Sequence, residues 1–268
     1  MLGILDSGLG GLTVLQSIRK VLPAEDIIYF ADQHNSPLGT RPSAELARLF
    51  QCYVDRLQEM GVDGIAMGSN TLCAVARDHG WPAKSVPIID MIEPTARTVA
   101  ALGKKRVGVL ATEATVKSGV YGDAIRDTLP GANVQEVAAS ELVGYVEQGI
   151  IEGAQVQGSL RAAFSKFPDE IDLLVLGCTH FPWLHRSIRE VFTGEVELLD
   201  PADPVAREVV TSRAARHGGR QTSSGTTRFM TTGDAKSFER NIEKLLGPLH
   251  ESDVVVQVEP VGVARRSQ

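Results

Sequence analysis

The chain has 268 residues, 43% of them hydrophobic and 22% charged, with a formal net charge of -6. That length supplies a sizeable core and room for one large or two small domains, and the composition is ordinary for a soluble globular protein. The negative balance gives no electrostatic case for nucleic acid or an anionic membrane, no apolar segment approaches spanning length, and the run from Met1 into Leu2-Gly3-Ile4-Leu5 lacks a signal-peptide pattern.

Along the chain, strand-like apolar runs alternate with helical patterns. Strands are expected over 2–5, 27–30, 64–67 and 86–89, then in a second series over 106–110, 134–137, 173–176 and 196–199. Helices are expected between them, over 11–21, 43–60, 92–102 and 158–167. This alternation predicts α/β layers around parallel sheets, whose strands need crossover helices. Residues 211–228, rich in Ser, Thr, Gly and Arg, read as a solvated loop. A helix through Leu246 follows Asp234, and 262–268 read as a frayed end.

One segment is repeated. Val62-Asp63-Gly64-Ile65-Ala66-Met67-Gly68-Ser69-Asn70-Thr71 is echoed by Ile171-Asp172-Leu173-Leu174-Val175-Leu176-Gly177-Cys178-Thr179-His180, at a constant offset of 109 residues. Shorter echoes join Gly3-Ile4-Leu5-Asp6-Ser7 to Gly108-Val109-Leu110-Ala111-Thr112, and Pro87-Ile88-Ile89-Asp90 to Glu197-Leu198-Leu199-Asp200. Two related α/β units follow, with a boundary near Glu93-Pro94 and a return between Asp200 and Pro204. The expected domains are 1–93 with 205–268, and 94–204.

Ligand sites in open α/β sheets lie beyond the carboxyl ends of the strands. Those ends carry Asp6, Ser7, Asp32, Ser69, Asn70, Thr71, Thr112, Thr115, Cys178, Thr179 and His180. Hydroxyls, amides and turns of this kind suit a small zwitterion or carboxylate, and no arginine cluster favours a phosphorylated ligand. Asp6-Ser7-Gly8-Leu9-Gly10-Gly11 has Thr13 where a dinucleotide fingerprint needs its third glycine. A tight turn letting a small ligand approach the backbone explains these glycines better. A helix start after Cys178 would present amides that favour the thiolate. His180 is placed to orient or protonate a reacting group, with Glu147 as its candidate partner. Three cysteines at unrelated spacings suit a reducing compartment rather than a disulfide framework, with Cys52 as core filler, and no metal site is expected.

Asp-Ser-Gly-Leu-Gly-Gly-Leu-Thr-Val from Asp6, Ser-Asn-Thr at 69–71, Val-Glu-Gln-Gly at 146–149 and Gly-Cys-Thr-His-Phe-Pro from Gly177 together resemble the glutamate racemases of the aspartate/glutamate racemase superfamily. The resemblance runs from Leu2 to about Leu246, with Phe229 to Asp234 similar to the closing motif. It implies two pseudo-symmetric three-layer α/β domains with mainly parallel sheets and the active site in the cleft between them. It also implies no cofactor, with a thiol on each face of the substrate α-carbon exchanging its proton. By motif, Cys178 assisted by Glu147 and His180 serves one face, and position 69 assisted by Asp6 the other. Ser7, Asp32, Pro37, Gly39, Asn70, Thr71, Thr112, Thr115 and Thr179 are expected to hold the substrate.

Two departures stand out. Ser69 replaces the family's first cysteine, and a serine hydroxyl without a base does not abstract an α-proton. Leu38 replaces the family's tyrosine in Pro37-Leu38-Gly39, after the unusual Gln33-His34-Asn35-Ser36. Three accounts of Ser69 stay open: an introduced replacement, a natural one-thiol enzyme, and substitution of its role by Cys73, which a helix starting at Asn70 would place a turn away. The resemblance thus implies a cytoplasmic racemase supplying D-glutamate for cell-wall precursors, impaired by Ser69. The alternatives are a one-thiol decarboxylase or isomerase of a related dicarboxylate, and a silent glutamate-binding protein. A small-molecule substrate is the expected partner, with a homodimer left open and neither nucleic acid nor membrane expected.

Overall fold

The computed structural model describes residues 1–167, 170–192, 195–214 and 225–262. Ten strands run in chain order as β1 (Leu2–Asp6), β2 (Ile27–Ala31), β3 (Ile65–Met67), β4 (Ile88–Ile89), β5 (Arg106–Ala111), β6 (Asn133–Ala138), β7 (Leu173–Gly177), β8 (Glu197–Leu199), β9 (Thr227–Thr231) and β10 (Val254–Gln257). Every pairing is parallel. One sheet has the order β10-β9-β2-β1-β3-β4 and the other β6-β5-β7-β8. The echo in the sequence is therefore an echo in topology: β2-β1-β3-β4 and β6-β5-β7-β8 are the same arrangement, built twice.

Eleven α-helices connect the described strands: α1 (Leu12–Val21), α2 (Ser43–Glu59), α3 (Asn70–His79), α4 (Ile92–Leu102), α5 (Glu113–Ser118), α6 (Val120–Thr128), α7 (Glu141–Glu147), α8 (Ala154–Phe164), α9 (His185–Val191), α10 (Ala202–Ala214) and α11 (Ala235–Leu246). They cover both faces of the sheets, so β1, β2, β3 and β7 are buried along their whole length. This is why these segments read as unbroken apolar runs rather than alternating ones. Alternation still decides where each side chain goes. Val107, Val109, Leu173 and Val175 face the main core, which also holds Tyr121 and Ala96. Leu110, Leu174 and Leu176 face a second cluster with Leu142, Val146, Leu160 and Ile188. Helix α10 packs on α1 and α4 and joins the second half of the chain back to the first.

Several boundaries differ from expectation. Helix α10 continues to Ala214 and β9 begins at Thr227, so the expected loop over 211–228 is cut from both ends; 215–224 lie outside the described residues, as do 263–268. The short α7 and the edge strand β10, with half-exposed Val254 and Val256, had no strong periodic signal. Cys52 is half-buried, not a core filler. The buried stripe of α2 is Leu46, Leu49, Phe50, Tyr53, Val54 and Leu57, and position 52 falls beside that 3.6-residue period. No helix among the described residues is long and apolar enough to cross a membrane.

Candidate active site

Both sheets present their strand carboxyl ends to one cavity of about 510 Å³. The turn after β1 contributes Asp6 and Ser7, and the turn after β3 contributes Ser69, Asn70 and Thr71. The equivalent turns of the second sheet contribute Thr112 and Thr115 after β5, and Cys178, Thr179 and His180 after β7. Pro37 and Gly39 close one side from a 3-10 turn over Leu38–Thr40. Glu147 comes from the end of α7. Among the described residues, the lining includes carboxylates but no lysine or arginine. An anionic ligand would be met by backbone N–H groups, hydroxyls and amides instead.

Around Cys178 the polar groups form a chain. Its Sγ lies 3.6 Å from His180 Nδ1, and His180 Nε2 lies 2.6 Å from Glu147 Oε1. Cys178 and His180 are each 5% exposed. Burial opposes charge on His180, but the hydrogen bonds to Cys178 and Glu147 outweigh it and hold the imidazole well above its ordinary value. Burial likewise opposes ionisation of Glu147, yet the bond to His180 keeps its carboxyl below the usual range. A second donor, Leu9 N at 2.9 Å, ties Glu147 to the glycine turn of the first sheet. The set forms a cysteine–histidine–carboxylate relay, with the imidazole in reach of both the sulfur and the carboxylate. The expected helix start after Cys178 is absent. A 3-10 turn over Phe181–Leu184 follows, and the Cys178 carbonyl accepts from Phe181 N at 3.0 Å. In place of helix amides, the His180 ring stands beside the sulfur.

This pair has a pH signature in stability. His180, raised above its ordinary 6.5, stabilises the fold fully below that pH, and the contribution is lost as pH rises through the folded value. Glu147, lowered from 4.5, contributes above that pH and is lost as pH falls through its folded value. Glu147→Gln should therefore cost most between about pH 4.5 and 6.5, by about 2 kcal/mol as for a hydrogen bond to a charged partner. The gap should narrow in alkali. Urea midpoints of parent and variant at pH 5.5 and pH 9 check this; an equal gap at both would show that the pair is not ionised.

The other face is built differently. Ser69 is the N-cap of the ten-residue α3, and its Oγ accepts from Leu72 N at 3.4 Å. Asn70 Oδ1 accepts a hydrogen bond from the Tyr121 hydroxyl at 2.6 Å, while its Nδ2 is buried with no partner among the described residues. A buried donor left in that state costs about 1–3 kcal/mol, so this donor, on a residue that lines the cavity, calls for an acceptor that the described protein does not supply. Thr112 and Thr115 place their hydroxyls 3.0 Å apart on the second sheet's matching turn. Asp6 is buried, and burial raises its carboxyl above the ordinary value. Its Oδ2 accepts from Gly11 N at 2.8 Å and lies 3.2 Å from the Tyr29 hydroxyl. Cys73 does not line the cavity. It is buried in the core, where burial and nearby Asp90 push its thiol well above the ordinary value, which removes it as a stand-in for position 69.

Gly8 and Gly10 of the Asp6 to Gly11 turn lie outside the cavity lining and serve close packing between the two halves. A Cβ on Gly10 would come 2.6 Å from His180 Nδ1, and one on Gly8 would press into the Glu147 carboxylate. Asp32 also departs from expectation, because it lies outside the cavity lining. Its carboxylate is engaged in a buried cluster, accepting from Asn35 Nδ2 at 2.7 Å, Thr232 Oγ1 at 2.6 Å and the Tyr53 hydroxyl. The unusual 33–36 stretch belongs to the same network: Gln33 Oε1 accepts from Thr231 Oγ1 at 2.7 Å. Sequence reasoning passed over Val143, Gly144 and Ser140 as cavity residues. Val143 and Gly144 stand four and three residues before Glu147, so helical spacing alone could have marked them.

A profile of the family described as Asp/Glu/Hydantoin racemase matches residues 9–209. A glutamate racemase of Gloeobacter violaceus is 37% identical over 89% of this chain and 89% of its own. The crystal structure of a glutamate racemase isoform from Bacillus anthracis is similar with a TM-score of 0.88 and 31% identity, covering 98% of both chains. That of the Francisella tularensis glutamate racemase in complex with D-glutamate gives a TM-score of 0.84 at 30% identity, covering 95% of this chain and 96% of that one.

Proposed function

The chain belongs to the Asp/Glu/hydantoin racemase family, and from that premise we propose that it acts at the α-carbon of glutamate by proton transfer without a cofactor. The observation that carries this reading is the Cys178–His180–Glu147 relay, lining one cavity together with the topologically equivalent Ser69. Inversion needs a base on one face of the α-carbon and an acid on the other, and a repeated turn supplies opposed positions. In this proposal the Cys178 thiolate removes the α-proton from its face and returns one to the same face. Asp6 assists the opposite face, where Ser69 supplies a weak acid and no ready base. Ser7, Pro37, Gly39, Asn70, Thr71, Thr112, Thr115 and Thr179 hold the carboxylates and ammonium. Asp32 supports the loop of Pro37 from behind.

The chain is then a racemase slowed at one step, with rapid exchange of one isomer and slow inversion. The two sheets are the centres of two domains, 1–93 with 205–268 and 94–204, and action in the cytoplasm on D-glutamate supply, as monomer or homodimer, belongs to the same proposal. A related dicarboxylate as substrate, handled by one thiol, is the second reading, favoured by Leu38 in the cavity wall. Incubating D- and L-glutamate separately in deuterated water tests both. Exchange of one isomer, with inversion far slower, is expected. Equal inversion from both isomers would show that Ser69 does not disable its face, and no exchange with either isomer would remove glutamate as substrate.

A further inference from the structure

Tyr121, at the start of α6, belongs to no motif, yet it touches both turns that flank the cavity. Its ring is fully buried and lies against Gly177, the residue before Cys178: a Cβ there would come 3.1 Å from Tyr121 Cε2. Its hydroxyl reaches across to Asn70, the residue after Ser69, at 2.6 Å. One rigid side chain thus sits under the cysteine turn and holds the amide of the serine turn.

We infer that Tyr121 is a positioning residue, which fixes the Asn70 carboxamide through Oδ1 so that its Nδ2 donor is held for a substrate carboxylate at a set distance from Cys178. A primary amide has two similar faces, and an untethered one is free to offer either oxygen or nitrogen to a ligand. A carboxylate would be repelled by the oxygen. With Oδ1 engaged by a hydroxyl donor, only nitrogen remains, and that nitrogen is the buried donor without a partner among the described residues. Because the tether comes from the second sheet's side, it also ties the ligand-holding amide to the half of the molecule that carries the thiol. This rests on the reading of the cavity as a glutamate site.

Tyr121→Phe keeps the packed ring and removes only the hydroxyl. It should move the Asn70 side-chain amide resonances of the ligand-free, ¹⁵N-labelled chain, assigned by their loss in Asn70→Ala. Glutamate affinity should fall about tenfold, as for loss of one positioned hydrogen bond, while the α-proton exchange rate at saturating glutamate changes much less. In an Asn70→Ala background the same substitution should cost no further affinity, because Tyr121 acts through that amide. Unmoved Asn70 resonances, or an equal affinity loss in both backgrounds, would overturn the inference and leave Tyr121 a packing residue. If the parent chain binds no glutamate the functional reading fails by itself, and the role of Tyr121 is then decided by the Asn70 resonances alone.

Discussion

Ser69→Cys is expected to raise racemisation by about 10²–10⁴-fold, the usual contribution of a positioned acid or base. The site is prepared for a thiol. Position 69 caps a ten-residue helix, and its backbone is already in the extended conformation of an N-cap, with φ -127° and ψ 109°. Unpaired amides at a helix start favour negative charge, which lowers a thiol's pKa into the working range but leaves a serine hydroxyl far above it. The two faces would then be activated by unlike devices, helix amides at position 69 and the His180–Glu147 pair at Cys178. Cysteine caps a helix less well than serine, so about 0.5–1 kcal/mol of stability should be lost alongside the gain in rate. Polarimetry from either isomer, with a urea midpoint on the same sample, measures both. An unchanged rate in a folded variant would mean that residue 69 does not face the α-carbon.

What the sequence made legible was local, and what it hid was distant. The strand–glycine–nucleophile turns could be read because strand, turn and side chain lie within ten residues, and their repetition at a constant offset carried the topology with them. The pairing of His180 with Glu147 spans 33 residues, so residue type alone suggests it and the fold brings the two to 2.6 Å. Asp32 shows the limit. At a strand end it has the look of a ligand group, but β9 pairs with β2 from nearly two hundred residues away and brings Thr232 onto its carboxylate. No local pattern announces that neighbour. Gly8 and Gly10 mark a close approach that local sequence can signal, but the groups that come close, Glu147 and His180, arrive from the other half of the chain. Tyr121 was invisible for the same reason: its ring belongs to one half and its hydroxyl to the other.

Removing the remaining thiol should have the opposite effect, and combining the two substitutions should reverse the stereochemistry of exchange. Cys178→Ala is expected to lower α-proton exchange by about 10³-fold, within the range for losing a positioned base. His180 stays tied to Glu147 but has no sulfur beside it. The double variant Ser69→Cys with Cys178→Ala is more informative. A site with one base removes a proton and returns a solvent deuteron on the same face, so each single-thiol site labels one enantiomer without inverting it. The parent, with Cys178 alone, and the double variant, with a thiol at 69 alone, should therefore label opposite enantiomers of glutamate in deuterated water. This follows from the proposed two-face site: β3 and β7 occupy the same place in two copies of one strand order, their turns line one cavity, and in the proposal they serve opposite faces of the α-carbon. Mass spectrometry after chiral separation reads the outcome directly. Label entering the same enantiomer in both proteins would mean that positions 69 and 178 approach the α-carbon from one side, and a two-face mechanism would have to be abandoned for this fold.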